Sequence, residues 1–174
     1  MGREIRRVPP NWEHPKDDRG NYLPMRDRTL EDRFAQWLAD FDRIRCGELS
    51  EIERECYGEG NALANWLQDD GNPPDPKYYR PWSDAEATWF QVWETVSEGT
   101  PVTPPFETKQ ELVDYLVECG DFWDQRRGNG GHSRKAAEHF VDSGWAPSFV
   151  MGGGKMAAGI EGLELLREKE DSAS

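Results

Sequence analysis

The side chains able to do chemistry are few and scattered. Histidine stands at three positions, His14, His132 and His139, and cysteine at three, Cys46, Cys56 and Cys119. A metal site needs several imidazoles, thiolates or carboxylates at ligand spacing. His132 and His139 are seven residues apart, but Gly131 and Ser133 place His132 ahead of the helix that carries His139. They read as structural or surface histidines. The cysteines are odd in number and lack a C-x-x-C spacing, which disfavours both a disulfide framework and a zinc site. A nucleophilic thiol needs a basic, partly exposed setting and usually a histidine. Cys119 sits between Glu118 and Gly120 on an inward helix face, and Cys46 merely follows Arg45, so all three read as core or incidental thiols. Gly152-Gly153-Gly154-Lys155 has the wrong glycine spacing for a phosphate loop, and Met156 stands where a magnesium-binding hydroxyl belongs; it reads as a hairpin turn. No catalytic residue, cofactor or metal is assigned from these patterns.

What the composition offers instead is charge and tryptophan. The 174 residues hold eight Trp, seven Phe and five Tyr, with a formal charge of −13. Tryptophan is used where a large apolar area is buried in a core or an interface. The acidity is uneven: residues 29–124 carry 22 acids against seven bases, whereas residues 1–28 are slightly basic. Such a field repels nucleic-acid phosphates and attracts basic protein surfaces. Direct nucleic-acid binding through Arg3, Arg6 and Arg7 is therefore disfavoured, and those arginines are expected to pair with the chain's own acids. No apolar run is long enough to span a membrane, and no apolar secretory segment follows the basic N-terminal residues. A cytoplasmic location is expected.

The elements that would position these residues follow from periodicity. Residues 1–28 read as an extended arm and loop packed on the body through Trp12 and Tyr22. Residues 29–166 read as one mainly helical domain ending in a β-hairpin, and 167–174 as a frayed tail. Thr29 caps a helix to Arg45 with Leu30, Phe34, Trp37, Leu38, Phe41 and Ile44 on one face. Two short helices, or one broken one, follow between Glu48 and Leu67. The Ser83-Asp84-Ala85-Glu86 capping box predicts a helix running to Val96, and Thr108–Glu111 predicts another to Cys119. Ser133 caps a short helix to Val141. Residues 148–158 read as a hairpin around a glycine turn. The fold class is α+β, helix-dominated, with four to five helices. Its small sheet is expected to join the N-terminal strand to the C-terminal hairpin.

Three blocks, REIRRVPPNWEHP at 3–15, WETVSEGTPVTPPFETKQELVDYL at 93–116 and SGWAPSFVM at 143–151, resemble a family of small acidic Trp-rich proteins of tailed bacteriophages and prophages. The resemblance covers about a quarter of the residues. It implies a phage accessory protein made in the host cytoplasm, and it carries no catalytic residues.

The expected function is a non-enzymatic acidic binding protein that modulates or inhibits a host protein with a basic surface. One concrete version is an anti-CRISPR-like inhibitor that mimics nucleic-acid charge. Glu51, Glu53, Glu55, Asp69 and Asp70 are the candidate acids. Gly99 and Pro101, in the proline-rich EGTPVTPPF run, are candidates for a rigid recognition loop, although that run also reads as a plain crossover between helices. The alternatives are a phage structural or self-associating protein, hence a homo-oligomer, and a small enzyme acting on a nucleotide or nucleic acid.

Overall fold

In the computed structural model of the chain, Trp89–Glu94 is a β-strand and not the helix predicted from Ser83 to Val96. The capping pair does form, since Glu86 Oε2 accepts from Ser83 N and Oγ at 2.9 and 2.7 Å, but it closes only a turn. The segment beyond it alternates with period two. Phe90 and Val92 join one apolar cluster while Trp89 and Trp93 join another. Aromatic and β-branched side chains suit a strand buried on both faces, where no amphipathic alternation shows in the sequence. Val96 lies outside the described residues, which are 2–69, 71–95, 99–152 and 155–163.

In chain order the elements are β1 (Arg3–Val8), β2 (Arg26–Thr29), α1 (Leu30–Arg45), α2 (Glu51–Tyr57), α3 (Ala62–Asp69), β3 (Tyr79–Arg80) and β4 (Trp89–Glu94). There follow β5 (Thr100–Pro101), α4 (Lys109–Cys119), α5 (Phe122–Arg127), α6 (Arg134–Ser143), β6 (Trp145–Ala146), β7 (Phe149–Gly152) and β8 (Lys155–Ala158). The architecture is helix-rich α+β. No helix among the described residues is long and apolar enough to cross a membrane.

The chain divides into two compact units, Arg26–Pro81 and the described residues on either side of it. In the flanking unit, β1 is central to a four-stranded sheet of order β5-β4-β1-β6. It pairs antiparallel with β4 from Arg3↔Glu94 to Val8↔Trp89. The N-terminal strand therefore does not combine with the hairpin. β7 and β8 pair with each other as a separate ribbon, Phe149 opposite Ala158 and Met151 opposite Met156. The expected turn glycines Gly153 and Gly154, and the tail 167–174, fall outside the described residues.

The sheet has a filled face on each side. Val92 packs with Leu112, Leu116, Ala137 and Phe140 of α4 and α6, with Ile5 against them. On the opposite face Val8 and Trp93 pack with Met25, Trp82 and Ala87, and Trp12 and Trp89 join from the edge. The Thr108 capping box starts α4, and Ser133 caps α6. Helix α5, which the sequence did not announce, is capped by Asp121, whose carboxylate accepts from Trp123 N and Asp124 N.

The unit Arg26–Pro81 has its own core. Ile44, Leu49, Ala62 and Trp66 are buried, with Trp37 and Phe41 of α1 against them. Of the predicted α1 face, Trp37, Phe41 and Ile44 join this core whereas Phe34 and Leu38 are exposed, and the broken helix is two helices, α2 and α3. A short parallel pairing of β2 with β3 closes the unit.

Candidate functional site

The candidate site is a groove of about 1100 Å³ in the flanking unit. It follows the β5 edge of the sheet, and residues 100–105 of the proline-rich run form its floor. That run is held from both sides by ladder bonds and side chains. Val102 N donates to Val92 O at 2.8 Å, and Phe122 N donates to Val102 O at 2.8 Å. Gln91 Nε2 donates to Thr103 O at 2.8 Å, and Val92 N to Thr103 Oγ1 at 3.1 Å. Three prolines, Pro101, Pro104 and Pro105, line the groove without backbone donors of their own. Chain order is thus fixed here by hydrogen bonds made before any ligand arrives.

Aromatic rings form the two walls. From the N-terminal loop come Trp12 and Tyr22, and from the helices Tyr115, Phe122 and Trp123. Tyr22 and Phe122 are 43% and 48% exposed, so their rings face solvent. Lys16 Nζ lies 4.7 Å from the Tyr22 ring centroid, and the Arg126 guanidinium 5.8 Å from that of Trp123. These are cation–π distances. Glu94 is committed within the wall: Thr100 Oγ1 and Trp123 Nε1 both donate to it at 2.9 Å.

His14 is a buried member of the groove lining, only 8% exposed, with its ring edge-on to Trp93 at 4.7 Å. Its Nε2 lies 2.6 Å from Leu23 O. A carbonyl only accepts, so Nε2 carries the proton and Nδ1 presents a lone pair. Burial lowers the imidazole's affinity for a second proton; the Leu23 bond opposes this, and the Arg6 charge adds to it. The net direction is downward, which keeps the ring neutral at pH 7. His14 Nδ1 and Trp12 Nε1 are both shielded from solvent and have no hydrogen-bond partner among the described residues.

A second, smaller cavity of about 40 Å³ lies at the start of β1, lined by Arg3, Asp121, Asp124, Arg127 and His132. Arg3 and Asp121 form a buried ion pair. His132 Nε2 is 3.0 Å from Asp124 Oδ2, a charge contact whose N–H direction misses the line of a hydrogen bond. Burial alone would lower the His132 pKa, but Asp124, Glu161 and Asp121 together raise it above the ordinary value. Burial likewise pushes Asp124 up, and the His132 contact and the Asp121 amide outweigh it, holding the carboxyl at about 2. The volume fits a few water molecules.

The sequence-predicted residues divide between the two units. Pro101 is in the groove. Gly99 has a packing reason to be glycine: φ is +95°, and a Cβ would collide with Met25 O and the Arg6 guanidinium. Glu51 and Glu55 are exposed on α2, and Asp69 is exposed at the end of α3. Asp70 lies outside the described residues. Glu53 is already engaged: Arg43 donates to it at 2.5 and 2.8 Å, and it accepts from Ser50 N in a capping box. These bonds hold its carboxyl at about 2. Other acids of the same unit are matched locally too, Asp42 with Arg45, Asp75 with Lys77 and Asp27 with Arg80. The N-terminal arginines bond within the chain, Arg3 to Asp121, Arg6 to Glu4 and Arg7 Nε to Ala87 O.

Sequence reasoning missed the groove because its walls come from residues far apart in the chain. Trp12 packs against Trp82 at 4.3 Å and so pins the N-terminal loop, whereas the ring contacts of Tyr22 are to His14 and Lys16 of its own loop; both side chains line the open side. The available signal was the pairing of a triple-proline run with aromatics on both sides of it. Among the described residues, no group of three or more His, Cys, Asp or Glu is placed to hold a metal ion. Comparison of the chain with protein-family models, with curated proteins and with solved structures returns no match.

Proposed function

We propose that the chain is a binding protein of the tailed-phage accessory kind, made in the host cytoplasm, which modulates or inhibits a host protein by docking part of it in the groove. The observation that carries this reading is the floor of the groove, a proline run hydrogen-bonded to β4 and α5 before any partner arrives. A wall ordered in advance spares the ordering cost that otherwise weakens association. Exposed Tyr22 and Phe122 supply the large amphipathic and apolar contacts that dominate binding energy. The formal charge of −13 steers a partner with a basic surface, and the groove supplies the short-range fit. Nucleic-acid mimicry by the acids is the less supported form of the same idea, because Glu53 and several neighbours are matched by arginine or lysine.

The test is affinity capture from bacterial host lysate with three baits. These are the wild type, a groove variant (Tyr22→Ser with Phe122→Ser) and a charge variant (Glu51→Lys, Glu55→Lys and Asp69→Lys). The expected result is a specific partner lost with the groove variant and kept, at reduced on-rate, by the charge variant. Loss with the charge variant alone transfers the function to mimicry. A wild-type bait that retains no specific partner removes the binding reading.

A further inference from the structure

Whatever the groove binds, we propose that His132 is a proton-operated latch: its charged ring holds the single turn Gly159–Glu161 and helix α5 together, and loss of the ring proton loosens both.

The geometry comes first. Asp124 Oδ2 of α5 lies 3.0 Å from His132 Nε2, and Glu161 Oε1 of the turn Gly159–Glu161 lies 3.8 Å from Nδ1. The two nitrogens of one ring thus face carboxylates of two different elements, and the His132 side chain is only 8% exposed. Neither contact is a hydrogen bond, so the hold is an attraction between charges. The ring cannot swing away easily. His132 N donates to Leu116 O at 2.9 Å, and a Cβ on Gly131 would collide with Val117 O, so this stretch of chain lies hard against α4. A charged imidazole carries N–H on both nitrogens, whereas a neutral one turns a lone pair toward one of the two carboxylates. On that side attraction gives way to repulsion.

The charges around the ring balance only when it is protonated. Arg3 of β1 and Arg127 of α5 line the small cavity together with Asp121 and Asp124, and Glu161 approaches from its turn. With His132 charged, three cations face three carboxylates; without its proton, one carboxylate loses its counter-charge. Arg3 is already paired with Asp121, and on α6 the neighbouring Arg134 turns to Asp114 and Glu138. The charge left unmatched therefore falls on Asp124 and Glu161. The carboxylates outweigh burial in favouring the imidazolium, which agrees with this balance.

Both held elements are sensitive to the loss. Helix α5 has six residues, too few to be stable on its own, and Asp124 Oδ2 also accepts from Asp121 N at 3.1 Å to close its capping box. Its residues Phe122, Trp123 and Arg126 line the groove, so under the binding reading the firmness of that wall follows pH. The turn keeps a second hold through Ile160 and Leu163 in the core, so it loosens without detaching.

The experiment uses the full chain alone. The His132 C2 proton, assigned through its backbone by NMR, gives the titration midpoint. Amide exchange is then read about one pH unit below and above that midpoint, with exposure times scaled to the intrinsic chemical rate. Above the midpoint, α5 and residues 159–163 are expected to exchange about 2- to 5-fold faster, while α4 and α6 keep their protection. Glu161→Gln, a change at an exposed side chain, is expected to lower the midpoint and to shrink the step at 159–163. His132→Asn is expected to show the loosened pattern at both pH values; should it not fold, the wild type and Glu161→Gln decide. Equal protection on both sides of the midpoint, a loss spread evenly over all helices, or a midpoint unmoved by Glu161→Gln overturns the latch. No partner enters this measurement, so its failure leaves the binding reading standing, and a failed capture leaves the latch standing.

Discussion

Trp123 Nε1 donates to Glu94 Oε2 at 2.9 Å, tying α5 to the last residue of β4. Glu94 is 7% exposed and lies opposite Arg3 in the strand pairing, so the bond fastens the helical wall of the groove to the sheet that floors it. Trp123→Phe keeps most of the ring and removes the donor. The expected cost is about 1–3 kcal/mol, because a buried carboxylate loses a hydrogen bond. Urea unfolding followed by circular dichroism checks it; an unchanged midpoint would show that the bond does not hold the wall.

Gly99 and Gly20 both adopt positive φ, +95° and +83°, but only one is crowded. A Cβ at Gly20 meets nothing within 4 Å, whereas at Gly99 it meets Met25 O and the Arg6 guanidinium. Gly20→Ala is therefore expected to cost about 1 kcal/mol of backbone strain. Gly99→Ala is expected to cost about 2 kcal/mol or more, since strain and collision act together. Comparing the two variants by thermal unfolding separates them, and equal losses would mean that Gly99 is not closely packed.

His132 and His14 oppose each other in pH dependence. The His132 pKa is raised in the folded chain, so its contribution is complete below the ordinary value of 6.5 and fades as the pH rises through the raised value. Asp124, Glu161 and Asp121 favour the imidazolium, with Arg3 and Arg127 lining the same cavity. The His14 pKa is lowered, so its contribution is intact above 6.5 and is lost as the pH falls through the lowered value. His132→Asn is expected to lower the melting temperature more at about pH 5.5 than at about pH 8.5. His14→Phe is expected to remove a loss of stability on the acid side. Melting curves of the three proteins across this range decide it, and a His132→Asn deficit independent of pH would mean that His132 does not titrate against Asp124.

Much of the helical part of the molecule was legible in residue order. The Thr29, Thr108 and Ser133 caps each reappear as hydrogen bonds at the start of α1, α4 and α6. Capping is a contact between residues three apart, so the local sequence contains both partners. The same local logic misread Ser83–Val96, because a capping pair marks the start of a turn and leaves the conformation of the next residues open. The run Trp89–Glu94 carries apolar groups on both faces and so lacks the alternation by which a half-exposed strand is recognised. Helix α5 was missed because its cap, Asp121, looks from sequence like any other acid.

Residue order by itself settled the α+β class, the starts of α1, α4 and α6 and the acidic excess, each a matter of composition or near-neighbour contact. Only the tertiary structure brought Trp12 and His14 to the same groove as Pro101 and Trp123, and His132 to Asp124. The reason is that a site is made of distances across strands β1, β4 and β5, and those distances arise only once non-local pairing has closed the loops between them. Local propensity carries no record of that closure. Charge counts were equally blind to pairing: Glu53 counts as one more acid in the sequence, and the fold places it in the fork of Arg43.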